Sequence, residues 1–347
     1  MKKVQVDVFQ FRGNHYDFGM YQGNILREST TLLQRWQQML RKNARRFNVD
    51  VEDFMMIMMQ FSPHILEELY GLQDALELDL HTTIQQFGGY YLDYGRSGCS
   101  IYTDHGTMVR NYDNDPNVYE GHMMLYAPTD GGYATIGPTM QITGRTDGIN
   151  EKGLAMGYNF INRTQSKDGF MCNMIGRLVL ENCANIDEGI QLLKELPHRY
   201  AFTYVLADPE QDGVIVEAAP SKVVVRHDYV CTNHFVTLTD QNRYRMDDSI
   251  RRSTAVQQAH PSIHNGREMY ALMNGRDRGV FSTNYGAWSG TIHTSIMRPK
   301  ALQMGFTLGS DRLPYIVDFQ KWVDGKDLRV KQINGQLETT GIFMNEK

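Results

Sequence analysis

The chain opens with apolar and polar positions in alternation, Val4, Val6 and Val8 separated by Gln5 and Asp7, and a period of two predicts a short strand with one buried face. From about residue 15 to 90 the period becomes helical. Ile25, Leu26, Leu32, Leu33, Trp36 and Leu40 recur at helical spacing, as do Ile65, Leu66, Leu69 and Leu72. Pro63 and Gly71 act as boundary cues for the latter segment, and the cluster Met55-Met56-Ile57-Met58-Met59 reads as adaptable core. The first hundred residues are thus expected to form an α-rich unit.

From Cys99 onward the pattern turns to strands: Cys99 to Thr103, Thr107 to Asn111, Met123 to Tyr126, Tyr133 to Ile136 and Leu154 to Tyr158. Asp130-Gly131-Gly132 and Asp147-Gly148 are turn sequences of the kind that join such strands. Two helices, about 170 to 184 and 187 to 196, precede strands at Phe202 to Ala207, Val214 to Ala218 and Lys222 to Arg226. Strands, then helices, then strands predict sheets packed on each other and covered by helices.

Composition narrows the class. The 347 residues are 41% hydrophobic and 22% charged, enough for one large domain or two modest ones, and the net charge of −5 argues against nucleic acid as a partner. The richest basic run, Arg35 to Arg46, is broken by apolar residues and reads as the wet face of a helix. No apolar run is long enough to cross a bilayer and the start lacks an apolar leader, so a cytoplasmic location is expected, with no membrane partner. Four cysteines without paired spacing suit a reducing compartment. The glycosylation-type triplet Asn162-Arg163-Thr164 is then a chance match.

The usual metal and nucleotide motifs are absent: no paired CxxC, no HExxH, no P-loop and no Rossmann glycine fingerprint. Gly95-Arg96-Ser97-Gly98 fails the nucleophile-elbow pattern, because its fifth position is Cys99. Asp113, Asp115 and Asn117 open like a calcium loop, but Val118 and Met124 stand where its glycine and glutamate belong. Cys172, Cys183 and Cys231 read as core thiols. Cys99 differs from them, since it follows a glycine and is trailed by Arg110-Asn111-Tyr112-Asp113.

Were the bond before Cys99 cut, that residue would carry both a thiol and a free α-amine. A terminal amine with a reference pKa of about 7.7–8.0 lies close to a cysteine at about 8.5, so one residue would supply nucleophile and general base. Attack on an amide or thioester also needs charge to tune the thiol and donors for the oxyanion. Arg110 and Asp113 are candidates for the first task, or a plain ion pair at a strand end. Asn159 and Asn233, each at a strand end, are candidates for the second, or simple turn formers.

Gly98-Cys99, Arg110-Asn111-Tyr112-Asp113, Asn150-Glu151-Lys152-Gly153-Leu154 leading to Gly157-Tyr158-Asn159-Phe160, Thr232-Asn233-His234-Phe235 and Asp248-Ser249-Ile250-Arg251-Arg252 occur in that order. The set resembles the cysteine N-terminal-nucleophile (Ntn) hydrolases, both the choloylglycine hydrolase and penicillin V acylase group and the isopenicillin-N acyltransferase group. Phe11 to Gly23, with Gly13, Gly19 and Gly23, looks like the glycine-rich opening of an acyltransferase-type propeptide, which makes that group the closer fit.

The resemblance implies an α+β fold, the αββα four-layer sandwich, with an α-rich pro-segment over 1–98 and a catalytic chain over 99–347 forming one integrated unit. It implies self-cleavage between Gly98 and Cys99, with the Cys99 thiol attacking the Gly98 carbonyl, and two chains that stay together. Cys99 would then be the nucleophile, Asp113 and Arg110 would fix its amine and tune its thiol, and Asn233 with Asn159 would hold the oxyanion. Arg252 matches the family's late arginine, with Arg251 beside it as the competing assignment. The expected substrate is a small-molecule acyl amide or acyl thioester. No cofactor or metal is indicated, coenzyme A entering only as the leaving group of an acyl donor. Acyl and amine specificity, hydrolysis against transfer, and homo-oligomerisation stay open. Two other readings stand beside this one: a papain-like Cys-His hydrolase active without processing, drawing on His105, His122, His198 or His234, and a non-catalytic binding protein with an uncut Cys99.

Overall fold

The computed structural model describes residues 1–29, 49–90, 98–161, 166–242, 246–285 and 290–345. Leu32, Leu33, Trp36, Leu40, the Arg35–Arg46 run, Gly95-Arg96-Ser97 and Asn162-Arg163-Thr164 lie outside the described residues. In chain order the elements are β1 (Lys2–Gly13), α1 (His15–Arg27), α2 (Val51–Phe61), α3 (Pro63–Leu76), α4 (Leu80–Phe87), β2 (Ser100–Asp104), β3 (Thr107–Asn114), β4 (His122–Pro128), β5 (Thr135–Met140), β6 (Gly144–Arg145), β7 (Asp147–Asn150) and β8 (Ala155–Phe160). There follow α5 (Cys172–Asn182), α6 (Ile186–Glu195), β9 (Phe202–Ala207), β10 (Val214–Ala219), β11 (Lys222–Arg226), β12 (Val230–Cys231), α7 (Asp247–Ala259), α8 (Gly266–Asn274), β13 (Gly290–Arg298), β14 (Gln303–Leu308), β15 (Tyr315–Asp318), α9 (Phe319–Val323) and β16 (Gln332–Leu337).

Two sheets result. One runs β11-β10-β9-β8-β7-β5-β4-β1-β16, with β6 attached to β5; the other runs β12-β2-β3-β13-β14-β15. The period of two along each strand decides which layer a side chain joins. Phe202, Tyr204 and Leu206 of β9 face α2 to α6, whereas Val205 and Ala207 face the second sheet. That inner layer joins Val4, Val6 and Val8 to Ile101, Met108, Phe306 and Cys99. On the far side of the second sheet, Tyr102, Val109 and Ile296 pack on Val256 of α7 and on Met269 and Met273 of α8. The order is helices, sheet, sheet, helices, the α+β four-layer sandwich.

The alternating strand at the start is β1, and it lies inside the large sheet, parallel to β4 and antiparallel to the C-terminal β16. The following helices close over the outer face of that sheet. A Cβ on Gly19 would lie 2.0 Å from the Glu68 carbonyl oxygen, and one on Gly71 would lie 2.0 Å from that of Tyr16. These glycines let α1 and α3 cross backbone to backbone. A buried polar set joins these helices to α5: Arg177 binds Glu68 at 2.8 Å and also Glu181, while His15 bridges Glu181 at 2.6 Å and Asp130 at 2.7 Å. Burial alone would lower the basicity of His15; the Glu181 carboxylate raises it above its ordinary value.

Three expectations need correction. Gly71 marks no boundary, since it sits inside α3 and serves the helix crossing. Asp147-Gly148 is no turn: both residues belong to β7, Gly148 has φ +159°, and Asp147 is buried against the second sheet. Of the methionine cluster, Met58 is buried in the core, but Met56 and Met59 are exposed on the opposite side of α2.

Candidate active site

Cys99 immediately precedes β2, and its side chain is buried between the two sheets. Antiparallel pairing of β2 with β3 sets Ile101 opposite Arg110 and Ser100 opposite Asn111, which brings the Arg110-to-Asp113 stretch alongside the cysteine. Arg110 Nη2 donates to Cys99 Sγ at 3.6 Å and to the Tyr158 carbonyl at 2.7 Å. The Cys99 thiol lies 3.8 Å from the Asp113 carbonyl oxygen. Gly157 makes room for the arginine stem, because a Cβ there would sit 2.9 Å from Arg110 Cδ. Above and below, the guanidinium lies 4.8 Å from the Tyr112 ring and 5.0 Å from that of Tyr158, a cation–π sandwich.

Arg252 approaches from α7. Its Nη1 donates to the Cys99 carbonyl and to Ser100 Oγ, both at 2.6 Å; Nη2 donates to Asn233 Oδ1 and Nε to Asp248 Oδ2, both at 2.8 Å. Ser249, Arg252 and Val256 form the buried stripe of α7, so helical spacing sends Arg252 inward. Arg251 points to solvent, with Asp248 and the Gly279 carbonyl as partners. Of the two arginines, Arg252 is the one that contacts Cys99.

Asn233 is held on three sides. Its side chain accepts from Arg252 and donates to the Phe160 carbonyl at 2.8 Å, and its backbone N–H donates to Ser249 Oγ at 2.7 Å. Asn159, one residue before Phe160, donates instead to the carbonyls of Cys231 at 3.0 Å and Thr232 at 3.3 Å. It therefore braces the segment that carries Asn233, and its Oδ1 is buried with no hydrogen-bond partner among the described residues. Asp113 is buried and accepts from Thr291 Oγ1 at 2.6 Å. Burial pushes its carboxyl up to about 7, with Arg252 and Thr291 pulling the other way. Of the four histidines considered, His234 comes near this region through Thr232 and Ser249; His105 contacts the Ile263 carbonyl and His198 that of Leu193, while His122 packs on Phe9.

Several residues here were not singled out by the sequence. Asp147 accepts from Arg110 Nη1 at 3.0 Å, and His293 lies 3.4 Å from the same carboxylate oxygen. Tyr119 OH meets His293 Nδ1 at 2.9 Å. Burial would raise the Asp147 carboxyl, but Arg110 and then His293 hold it well below the ordinary range. Asp147 was hidden by its Asp-Gly context. His293 was hidden because β13 is buried on both faces from Gly290 to Met297, which erases alternation. All four cysteines are buried, and none is joined in a disulfide. Cys172, Cys183 and Cys231 are buried in the hydrophobic core; burial pushes the Cys172 thiol up, and Cys231 receives the Asn159 amide.

The model of the family described as acyl-coenzyme A:6-aminopenicillanic acid acyl-transferase matches residues 102–313, more than half of the chain. The span includes Arg110, Asp113, Asn159, Asn233 and Arg252 and begins just after Cys99. No curated protein matches the chain significantly. Similar solved structures include penicillin V acylase from Agrobacterium tumefaciens, at 18% identity and TM-score 0.41, covering 63% of this chain and 84% of that one. Conjugated bile acid hydrolase from Clostridium perfringens matches at 13% identity and TM-score 0.44, covering 64% and 93%. The Caenorhabditis elegans ortholog of N-acylethanolamine-hydrolyzing acid amidase matches at 12% and 0.40, covering 58% and 93%. Among the described residues no helix is long and apolar enough to cross a membrane. On the extent of the family match, the chain belongs to the acyl-coenzyme A:6-aminopenicillanic acid acyl-transferase family.

Proposed function

We propose that this chain is a self-processing cysteine amidohydrolase or acyltransferase that passes a small acyl group through a Cys99 acyl-enzyme. The observation that carries the reading is the convergence of two arginines on one residue: Arg110 on the Cys99 sulfur and Arg252 on its carbonyl. A structural thiol in an apolar layer has no need of either, since free cysteine packs there as a small hydrophobe.

Processing needs no reagent besides the chain and one water molecule. The Cys99 sulfur attacks the Gly98 carbonyl carbon, a C–S bond forms, and the C–N bond breaks as the nitrogen takes up a proton. Water then hydrolyses the thioester, leaving residues 1–98 with a free carboxylate and residue 99 with a free amine. In this reading Asp113 fixes that amine: burial raises its carboxyl to about 7, and it would ionise beside an ammonium. In turnover the amine accepts the thiol proton as the sulfur attacks an acyl amide or thioester, and returns it to the leaving group. The second amide hydrogen of Asn233, fixed by Arg252, supplies an oxyanion donor, with Asn159 bracing it. The two chains stay together through β1 and the Glu68–Arg177–Glu181–His15 set, in the cytoplasm.

The test is acyl trapping. Processed protein is mixed with a panel of acyl amides and acyl thioesters, quenched in acid and examined by peptide mass spectrometry. The reading expects an acyl mass on the peptide that begins at Cys99. Turnover with no such adduct, retained when Cys99→Ala is assayed, overturns it and favours a nucleophile elsewhere.

A further inference from the structure

Arg110 is shared. Its Nη2 serves Cys99 and the Tyr158 carbonyl, while its Nη1 serves Asp147 Oδ1 at 3.0 Å, and the flanking tyrosine rings hold the plane in place. Asp147 reaches this position from β7 of the large sheet, whereas Arg110 and His293 belong to the second sheet. The carboxylate is in turn held by Thr146 Oγ1 at 2.6 Å and by His293, whose far nitrogen takes the Tyr119 hydroxyl. Burial lowers His293 basicity, so the ring is neutral and brings no further charge. With Asp147 accepting, Nε2 carries the proton and Nδ1 accepts from Tyr119.

Resting on the proposed Cys99 chemistry, we infer that Asp147 is a positioning residue that competes with the Cys99 sulfur for the Arg110 cation, and thereby sets how readily that sulfur loses its proton. In a dry layer a guanidinium with no anionic partner strongly favours ionisation of whatever else lies beside it. With Asp147 ionised, Arg110 is already neutralised, and its pull on the thiol is moderated. A moderated thiol is the better catalyst, because nucleophilicity falls as thiol acidity rises, and the most effective attacking thiol ionises near ambient pH. The other titratable or charged groups facing this centre are Tyr112 and Asp113 of β3, Tyr158 of β8, Cys172 at the start of α5, Arg252 and Asp248 of α7, and Tyr119. Asp147 is the carboxylate bound directly to Arg110.

The two ends of the chain of contacts make opposite predictions. Asp147→Asn removes the competing charge while the tyrosine sandwich and the Tyr158 carbonyl still hold Arg110. The pH midpoint of Cys99 alkylation by iodoacetamide, followed on the processed protein by peptide mass, should fall by at least about one unit, a tenfold change in proton affinity, with kcat falling and KM little changed. His293→Phe keeps Asp147 but strips one of its donors, leaving more of its charge on Arg110, and should raise the midpoint by a few tenths of a unit. A loosened site predicts an unchanged or raised midpoint for both variants. Asp147→Asn with a midpoint unmoved within about 0.3 unit, or raised, overturns the inference. Should that variant not fold, a lowered or unmoved midpoint in His293→Phe does so instead. Wild-type protein that fails to acylate at Cys99 sinks the functional reading itself; one that acylates but whose variants do not move in opposite directions sinks only this inference.

Discussion

Arg251 and Arg252 are neighbours with the same chemistry in opposite surroundings, and the structure converts that difference into a free-energy gap. Arg252→Gln removes the arginine donor from the Cys99 carbonyl and from Asn233 Oδ1, both on buried residues, which lie 2.6 and 2.8 Å from its guanidinium. Each stranded acceptor costs about 1–3 kcal/mol. Asp248, whose side chain is 55% exposed, recovers its loss from water. The sum is a destabilisation of about 2–6 kcal/mol, which brackets the about 3–5 kcal/mol expected for breaking a buried ionic contact from one side. Arg251→Gln breaks a pair to the same aspartate in which both side chains are half exposed, worth about 0–1 kcal/mol. Both variants belong in a Cys99→Ala background, so that one covalent chain unfolds, and equilibrium urea denaturation with linear extrapolation reads the difference. Arg252→Lys should recover only part of the loss, because one ammonium cannot span acceptors on β2, α7 and the Asn233 loop. Equal effects at the two positions, or a loss below about 1 kcal/mol for Arg252→Gln, would refute the idea that Arg252 ties these elements together.

Gly71→Ala places a methyl against a backbone oxygen with no rotamer to relieve it. It should destabilise by about 1–3 kcal/mol in urea denaturation although alanine is the better helix former by about 1 kcal/mol, and a neutral or stabilised variant would show that α1 and α3 can part without cost. The raised Asp113 pKa carries a sign: in the uncut chain the folded state binds the more protons between the unfolded value near 3.8 and about 7. Stability from this group is therefore full below that window and is lost as pH rises through it, at up to about 1.4 kcal/mol per unit. Thermal denaturation should show this fall in Cys99→Ala and a flatter profile once Asp113→Asn is added; parallel profiles would place Asp113 in a more solvated setting.

Much of the sandwich was legible because burial on one face leaves an alternation, as in Val4, Val6 and Val8, and helices leave a stripe, as in Ile65, Leu66, Leu69 and Leu72. Legibility failed where that asymmetry disappears. Beyond Phe235 the sequence reading assigned no elements, yet α7, α8, α9 and four strands lie there; β13 is buried on both faces and α7 buries only Ser249, Arg252 and Val256. The same sparse stripe could have separated Arg252 from Arg251 by its spacing of three and four residues. Asp147-Gly148 and Gly71 misled for a common reason. Glycine was taken as a signal of chain direction, whereas at both positions it answers the close approach of another backbone. Around Cys99, candidate residues adjacent in short motifs could be found from sequence, but their partners Asp147 and, on β13, His293 and Thr291 come from other strands, and Tyr119 from a loop, and carry no local mark.

Whether the sulfur at position 99 frees its own backbone nitrogen is decided most directly by intact mass under denaturing conditions, wild type beside Cys99→Ala. Two species in the wild type, matching residues 1–98 and 99–347, and one unbroken chain in the variant are the expected pair. A variant that still splits at that bond, or a wild type that turns over acyl amides while remaining whole, would contradict it.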